Sequence, residues 1–283
     1  MLSAGPPELG IELGVDATIT DDGWLERHLL APPGLDGPPG ILQGGLAAGL
    51  AAPIARLVER YRAPLTSIDA RLHAPTPLGE PLRALVRSTD EAARYEVETR
   101  HGDTRLVSAE VELAGYEPSP RAFDLAELGR SSLPDPVPQH VFPACFICGP
   151  EPTHPHGQRM HPRYRRDGAI VQPWVVDPEL GDERSVIDPL MISAVLDCPT
   201  VWASVDHVYS LGHEGALLAG YHLRLFRDAP VMEPLRVVGR MDDADGAKIR
   251  ARAVLVDEDG VIYAVVSAFH ISVAHLPGRT PVS

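Results

Sequence analysis

Gln43-Gly44-Gly45-Leu46-Ala47-Ala48-Gly49-Leu50-Ala51-Ala52-Pro53 is the stretch on which the fold turns, because its end is written a second time as Leu196-Asp197-Cys198-Pro199. Apolar residues at 42, 46, 50, 54, 57 and 58 have the three-to-four spacing of a helix with one buried face, predicting a helix from Leu42 to Arg60. The second occurrence predicts a helix from Pro189 to Val205. A proline lies at the matched place in each, Pro53 and Pro199, and predicts a shared bend, since proline removes a donor and crowds the preceding turn. The two versions differ in chemistry: only the second carries an acid.

Outward from the helices the duplication continues. Glu80-Pro81-Leu82-Arg83 recurs letter for letter as Glu233-Pro234-Leu235-Arg236, and Val107-Ser108-Ala109 has its counterpart in Val266-Ser267-Ala268. Alternating patterns predict strands at Ser67–Leu72, Leu82–Arg87, Arg94–Thr99 and Arg105–Leu113 after the first helix. Four more, Ala216–Phe226, Leu235–Met241, Lys248–Val256 and Val261–Val273, follow the second helix, and Ala169–Val176 precedes it. An early strand is expected at Gly10–Ile19, followed by Pro/Gly-rich loop up to Gly40. Glu117–Gln139, rich in Pro, Ser and charge, reads as a linker with a short helix at Asp124–Leu128. Domains are thus expected at 1–116 and 142–283, joined by 117–141. One helix per four or five long antiparallel strands is the economy of an α+β sheet wrapped around a single helix. A duplicated unit that keeps a carboxylate in one copy only points to one asymmetric site made from a fused dimer.

Composition narrows the function classes. A formal net charge of -14 gives no concentrated basic face for a nucleic-acid backbone. No stretch approaches the roughly 18 apolar residues of a membrane span, and no basic-then-apolar leader opens the chain, so a cytoplasmic protein is expected. Three cysteines make no disulfide framework and fit a reducing compartment.

Phe142-Pro143-Ala144-Cys145-Phe146-Ile147-Cys148-Gly149-Pro150, followed by His156-Gly157-Gln158-Arg159-Met160, is similar to the Cys-Phe-x-Cys-Gly entry of phenylacetyl-CoA-type thioesterase relatives. Ala194-Val195-Leu196-Asp197 is similar to that family's helix, where an acid follows the second glycine of a His-Gly-Gly turn by seven residues. The chain therefore resembles a double-hotdog protein of the acyl-CoA thioesterase superfamily, which implies a tandem (double) hotdog fold. It departs from the family by splitting the motif. The first copy has Gln43-Gly44-Gly45 but Ala51 or Ala52 in the acid's place; the second has Asp197 but Asp188-Pro189-Leu190 in place of the turn. In the family the acid of one subunit works against the glycine amides of its partner, so one complete site is expected where Asp197 meets Gly44-Gly45.

For thioester hydrolysis, amides at a helix N-terminus would receive the developing oxyanion, with Gly44 and Gly45 admitting close approach. Asp197 would be general base or nucleophile, Gln43 would position acyl group or water, and Thr200 lies one turn on. Arg159, Arg163, Arg165 and Arg166 form a basic cluster that could meet the phosphates of coenzyme A, here part of the substrate and not a cofactor, or stay a solvated loop. The duller readings stand beside these: the glycines permit tight packing, and Asp188 caps a helix that starts at Pro189. Cys145-x-x-Cys148 with His154, His156 and His161 invites a metal, but one cysteine pair with loosely spaced histidines is a weak pattern, and no metal is assigned; Cys198 reads as a small core residue. The expected partner is a small acyl thioester, and the fused unit stands alone or pairs further. Two other functions compete: a non-catalytic acyl-CoA-binding protein, and an enoyl hydratase or dehydratase. The latter is disfavoured because its relatives place His five residues after Asp, where Asp188 here is followed by Ser193.

Overall fold

In the computed structural model the described residues are 2–59, 63–120, 124–137 and 141–277. In chain order the strands and helices are β1 (Leu2–Ser3), β2 (Glu12–Leu13), β3 (Thr18–Ile19), β4 (Leu25–Leu30), α1 (Gly44–Gly49), α2 (Ala51–Ala55), β5 (Leu65–Leu72), β6 (Leu82–Ser88), β7 (Arg94–His101), β8 (Thr104–Leu113) and α3 (Asp124–Gly129). They continue with β9 (Ile170–Trp174), α4 (Pro189–Trp202), α5 (Val205–Ser210), β10 (Gly215–Leu225), β11 (Leu235–Asp245), β12 (Lys248–Asp257) and β13 (Ile262–Val273).

All the long strands pair antiparallel in one sheet, in the order β4-β6-β7-β8-β5-β10-β13-β12-β11-β9, with β1, β2 and β3 at the first edge. Read outward from the β5–β10 seam, the two halves have the same connectivity. Asp69 lies opposite His222 in the middle of that seam. Their separation in sequence equals that between the repeated Glu80 and Glu233, so the pairing has the pseudo-twofold symmetry that a fused dimer requires. Leu82 and Leu235, from the repeated tetrapeptide, each open the equivalent strand.

α1, α2 and α4 lie on one side of this sheet. α2 packs on β5 to β8, α4 on β9 to β13, and α1 crosses α4. From Leu190 to Trp202 every residue of α4 except Val201 is buried. A single apolar cluster includes Leu46 and Ile54 from the first half and Leu190 and Val195 from the second, so the core is continuous across the seam. Crossing α1 over α4 requires glycine. A Cβ on Gly45 would lie 2.9 Å from Ala194 Cα and 3.0 Å from Asp197 Cβ, and one on Gly49 would lie 2.8 Å from Ser193 Cβ.

Four sequence expectations change. The helix predicted over 42–60 spans Gly44 to Ala55 and is interrupted at Leu50; Arg60 lies outside the described residues. Pro53 explains the interruption, since it offers no N–H to the Gly49 carbonyl one turn back and its ring crowds that oxygen. α4 is continuous through Pro199, so the interruption is not shared. The Gly10–Ile19 strand is two short pieces, β2 and β3, both paired to a strand the sequence reading left as loop, β4. Of β4 only Leu29 is buried, and Glu26, Arg27 and His28 hide its alternation. Within the expected linker, α3 presses Leu125 and Ala126 into a small separate cluster with Val171, Val238, Val254 and Val256 on the opposite face of the second half-sheet. Among the described residues no helix is long and apolar enough to cross a membrane.

Candidate active site

α1 begins where a Pro/Gly turn brings the chain up under β10. Gln43 occupies its N-cap with extended backbone (φ -53°, ψ 136°), and its side-chain Oε1 accepts from Leu46 N at 2.8 Å. The same side chain points its other end across the seam: Gln43 Nε2 donates to Asp197 Oδ2 at 2.7 Å and to Ala194 O at 3.2 Å. Gly45 N–H donates to the same Oδ2 at 3.0 Å. The carboxylate of the second half thus sits on the N-terminal amides of the first half's helix, where the positive end of the helix favours it.

Two polar atoms there are left over. Asp197 Oδ1 is buried and has no partner among the described residues, and neither has the Gly44 N–H, the first of the helix. Asp197 itself is 6% exposed, and burial pushes its carboxyl up to about 7, against the opposing pull of the Gly45 N–H. Gly44 is constrained as well, since a Cβ would lie 2.9 Å from Asp197 Oδ2 and 3.0 Å from Leu218 Cβ. The glycines therefore serve packing and carboxylate binding together.

Gln43, Gly44 and Asp197 line a cavity of about 320 Å³. Its other walls are mainly apolar: Ile41, Leu42 and Leu72 from the first half, Phe142 from the loop before β9, Val201 and Trp202 from α4, and Leu217 from β10. His73 is the histidine in this wall, with Nε2 2.8 Å from Ser108 Oγ. A carboxylate near its titration point, an unpaired helix-terminal amide and an apolar cavity between them are what addition of water to an activated acyl carbonyl needs.

The crossing is fixed by groups the sequence reading did not single out. Ser193 Oγ donates to Gly45 O at 2.7 Å, and Tyr221 OH donates to Ser193 O at 2.6 Å. Neither had a local signal, because each acts on a partner far away in sequence. Asp188 is the cap it was read to be, its Oδ1 accepting from Leu190 N at 2.8 Å with Pro189 in the first turn.

Other expected site residues lie away from the cavity. Thr200 is fully buried; its hydroxyl donates to Asp197 O at 2.6 Å and meets His270 Nε2 at 2.7 Å, so it ties α4 to β13 and is not among the residues that line the cavity. Arg159 Nη1 donates to Gly157 O, Arg163 Nη1 to Pro134 O at 2.6 Å, and Arg165 Nη1 to Ser131 Oγ at 2.5 Å, while Arg165 Nε pairs with Asp167. These arginines hold the loop before β9 and the segment after α3, and none lines the cavity with Asp197. Arg165 and Arg166 border a separate shallow depression with Tyr164, Val205 and Tyr209.

The cysteine pair is joined by a residue the sequence reading left in the core: Cys198, next to Asp197, lies with Cys145 and Cys148 in the cavity wall. Of the three histidines read beside the pair, His154 and His156 lie with ring centroids 5.8 Å apart and tilted at 44°, and Phe146 meets His154 edge-on. His156 also approaches the exposed acids Asp177 and Glu179.

Neither family models nor curated proteins return a match to this sequence. Solved structures do. An acyl-CoA thioesterase II of Mycobacterium marinum is similar at a TM-score of 0.61 and 15% identity, over 94% of this chain and 98% of that one. A protein described as having the hot dog fold, from Alicyclobacillus acidocaldarius, is similar at 0.56 and 14% identity over 94% and 97%. The dehydratase domain of a mycocerosic acid synthase-like PKS is similar at 0.63 and 14% identity over 97% and 99%. The chain is a hotdog-fold protein. Its full-length structural neighbours include thioesterases of class II, so the resemblance drawn from Asp197 and the Gly44-Gly45 turn holds at the level of the fold.

Proposed function

We propose that this protein hydrolyses an acyl thioester, of coenzyme A or of an acyl carrier, at one site per chain between the two halves of a tandem hotdog, 1–116 and 142–283. The observation that carries the reading is the seating of Asp197, a residue of the cavity wall, on the α1 N-terminus: Oδ2 is held by Gly45 N–H and Gln43 Nε2, and Oδ1 is buried with no partner among the described residues. The acyl group takes the apolar cavity, and its carbonyl oxygen takes the Gly44 N–H. Water gives a proton to the Asp197 carboxylate as its oxygen joins the carbonyl carbon. The tetrahedral oxyanion is then stabilised by the Gly44 amide and the helix end. Its collapse breaks the C–S bond, and the thiolate leaves with the proton that Asp197 took. Gln43 orients the carboxylate and is a positioning residue. The reading gives no contact to Thr200 or to Arg159, Arg163 and Arg165.

His73 favours a second reading, because a histidine and an acid in one cavity wall could move protons on an acyl chain, as in a dehydratase. A panel of short, long and aryl acyl-CoAs assayed for thiol release, together with a 2-enoyl-CoA assayed for loss of its double bond, separates the possibilities. Thiol release is the expected result. Loss of the double bond without thiol release would establish the hydratase reading, and saturable binding with neither reaction would leave a binding protein.

A further inference from the structure

Three thiols stand in the cavity wall without a part in the hydrolysis described above. Two come from the loop before β9 and the third from the middle of α4. Cys145 Sγ lies 3.4 Å from Cys148 Sγ and 4.0 Å from Cys198 Sγ, and all three sulfurs lie within 4.8 Å of one another. Three sulfurs bound at about 2.3 Å to one tetrahedral ion would stand about 3.8 Å apart, so this triangle is close to the one an ion would impose.

The surroundings are arranged for sulfur as an acceptor. Cys145-Phe146-Ile147-Cys148-Gly149 closes into a tight turn through Gly149 N–H donating to Cys145 O at 2.9 Å. Gly149 is required, because a Cβ there would lie 2.6 Å from Cys145 N and O. Trp202 Nε1 donates to Cys148 Sγ at 3.3 Å, and Gln43 Nε2 reaches to 3.8 Å from Cys198 Sγ. Cys148 and Cys198 thus each have a side-chain N–H aimed at the sulfur, the outer contact that orients cysteine ligands for a metal. A disulfide would use two of these sulfurs and leave the third unexplained.

We propose that Cys145, Cys148 and Cys198 bind one thiophilic divalent ion of the zinc class as thiolates, its fourth position open to the cavity that also holds Asp197. Loading turns three thiols into three thiolates and releases three protons. The bound unit keeps a single negative charge, far cheaper to bury than three thiolates alone. Three protein ligands beside an exchangeable position is the pattern of a reactive site, in contrast with the four closed ligands of a structural one. His154 and His156 take no part, since their rings are engaged with Phe146 and with each other.

The test is a titration of the full-length protein, reduced and stripped with chelator, with Co²⁺ as the probe. The expected result is a thiolate-to-cobalt charge-transfer band with the visible bands of a tetrahedral site, rising to one equivalent and displaced by Zn²⁺, with native mass spectrometry giving one ion per chain. Cys198→Ser should weaken binding by more than about tenfold with its circular dichroism unchanged. His156→Ala, which alters the exposed His156/Asp177/Glu179 group, should leave the band intact. Three results would overturn the proposal: a reduced wild type with no thiolate band, a band that follows His156 instead of Cys198, or a Cys145–Cys148 disulfide as the stable state whose reduced form takes no ion. The readout is metal and not turnover, so its failure is separate from failure of the hydrolase reading.

Discussion

Asp197 was legible in the sequence because an ionisable group inside Ala194-Val195-Leu196 and Cys198 is costly to bury unless something holds it. What holds it was only half legible. The glycine amides were expected, but Gln43 was read as a substrate contact and proves to be both helix cap and carboxylate donor. Gln43→Leu should therefore lower kcat more than it raises KM, and should cost roughly 1–2 kcal/mol in denaturant unfolding from the lost cap and the emptied donor; a KM effect alone would show that Gln43 touches substrate. The local bonds of the arginines were not legible for a physical reason: a guanidinium carries five donors, and nothing in a sequence tells whether local carbonyls such as Pro134 O will take them. A buried histidine gives a further expectation. Burial lowers His270 to about 3 from the ordinary 6.5, so between those values the unfolded chain binds a proton that the folded chain does not. Stability should then fall as pH drops through that window, by about 1.4 kcal/mol per pH unit attributable to this group. His270→Gln should flatten that slope in urea midpoints measured from pH 6.5 to 4; an unchanged slope would contradict the burial argument.

Elements were legible wherever period and neighbours agreed. Every predicted strand after residue 65 is present with no end shifted by more than four residues, since alternation and turn residues such as Gly102 and Gly260 act locally. β4 was missed because an edge strand with one buried residue need not alternate. Of the α1–α4 crossing only the meeting of Asp197 with Gly44-Gly45 was expected, through the resemblance; glycines at 45 and 49 by themselves carry no information about which helix will lie against them. Gly45→Ala tests that contact. Its methyl would press on Ser193 O and Ala194 Cα, and overpacking of this kind costs on the order of 1–3 kcal/mol. A drop in Tm is expected together with lost activity, while a variant as stable as the wild type would mean that the helices do not approach as closely as described.

At the scale of the molecule the duplication was the most readable feature and the seam the least. The repeated tetrapeptide pointed to two units, but not to β5 joining β10 or to the Cys145 loop docking against Asp36 through Phe146 N–H to Asp36 O at 2.7 Å. Without the other, each half would leave its own central strand edge and helix face uncovered. Residues 142–277 produced alone should therefore self-associate or aggregate, not sediment as a folded monomer; a stable monomer melting like the full chain would refute the shared core. The central claim is that Asp197 of one half acts against the helix end of the other. It is tested most directly by thiol release from a turned-over acyl-CoA, wild type against Asp197→Asn. The amide keeps an oxygen for Gly45 N–H and Gln43 Nε2, so the fold should survive. Turnover reduced by at least about a hundredfold with an unchanged circular dichroism spectrum and Tm is the predicted result. Turnover within a few-fold of wild type in the folded variant would place the chemistry elsewhere and contradict the account.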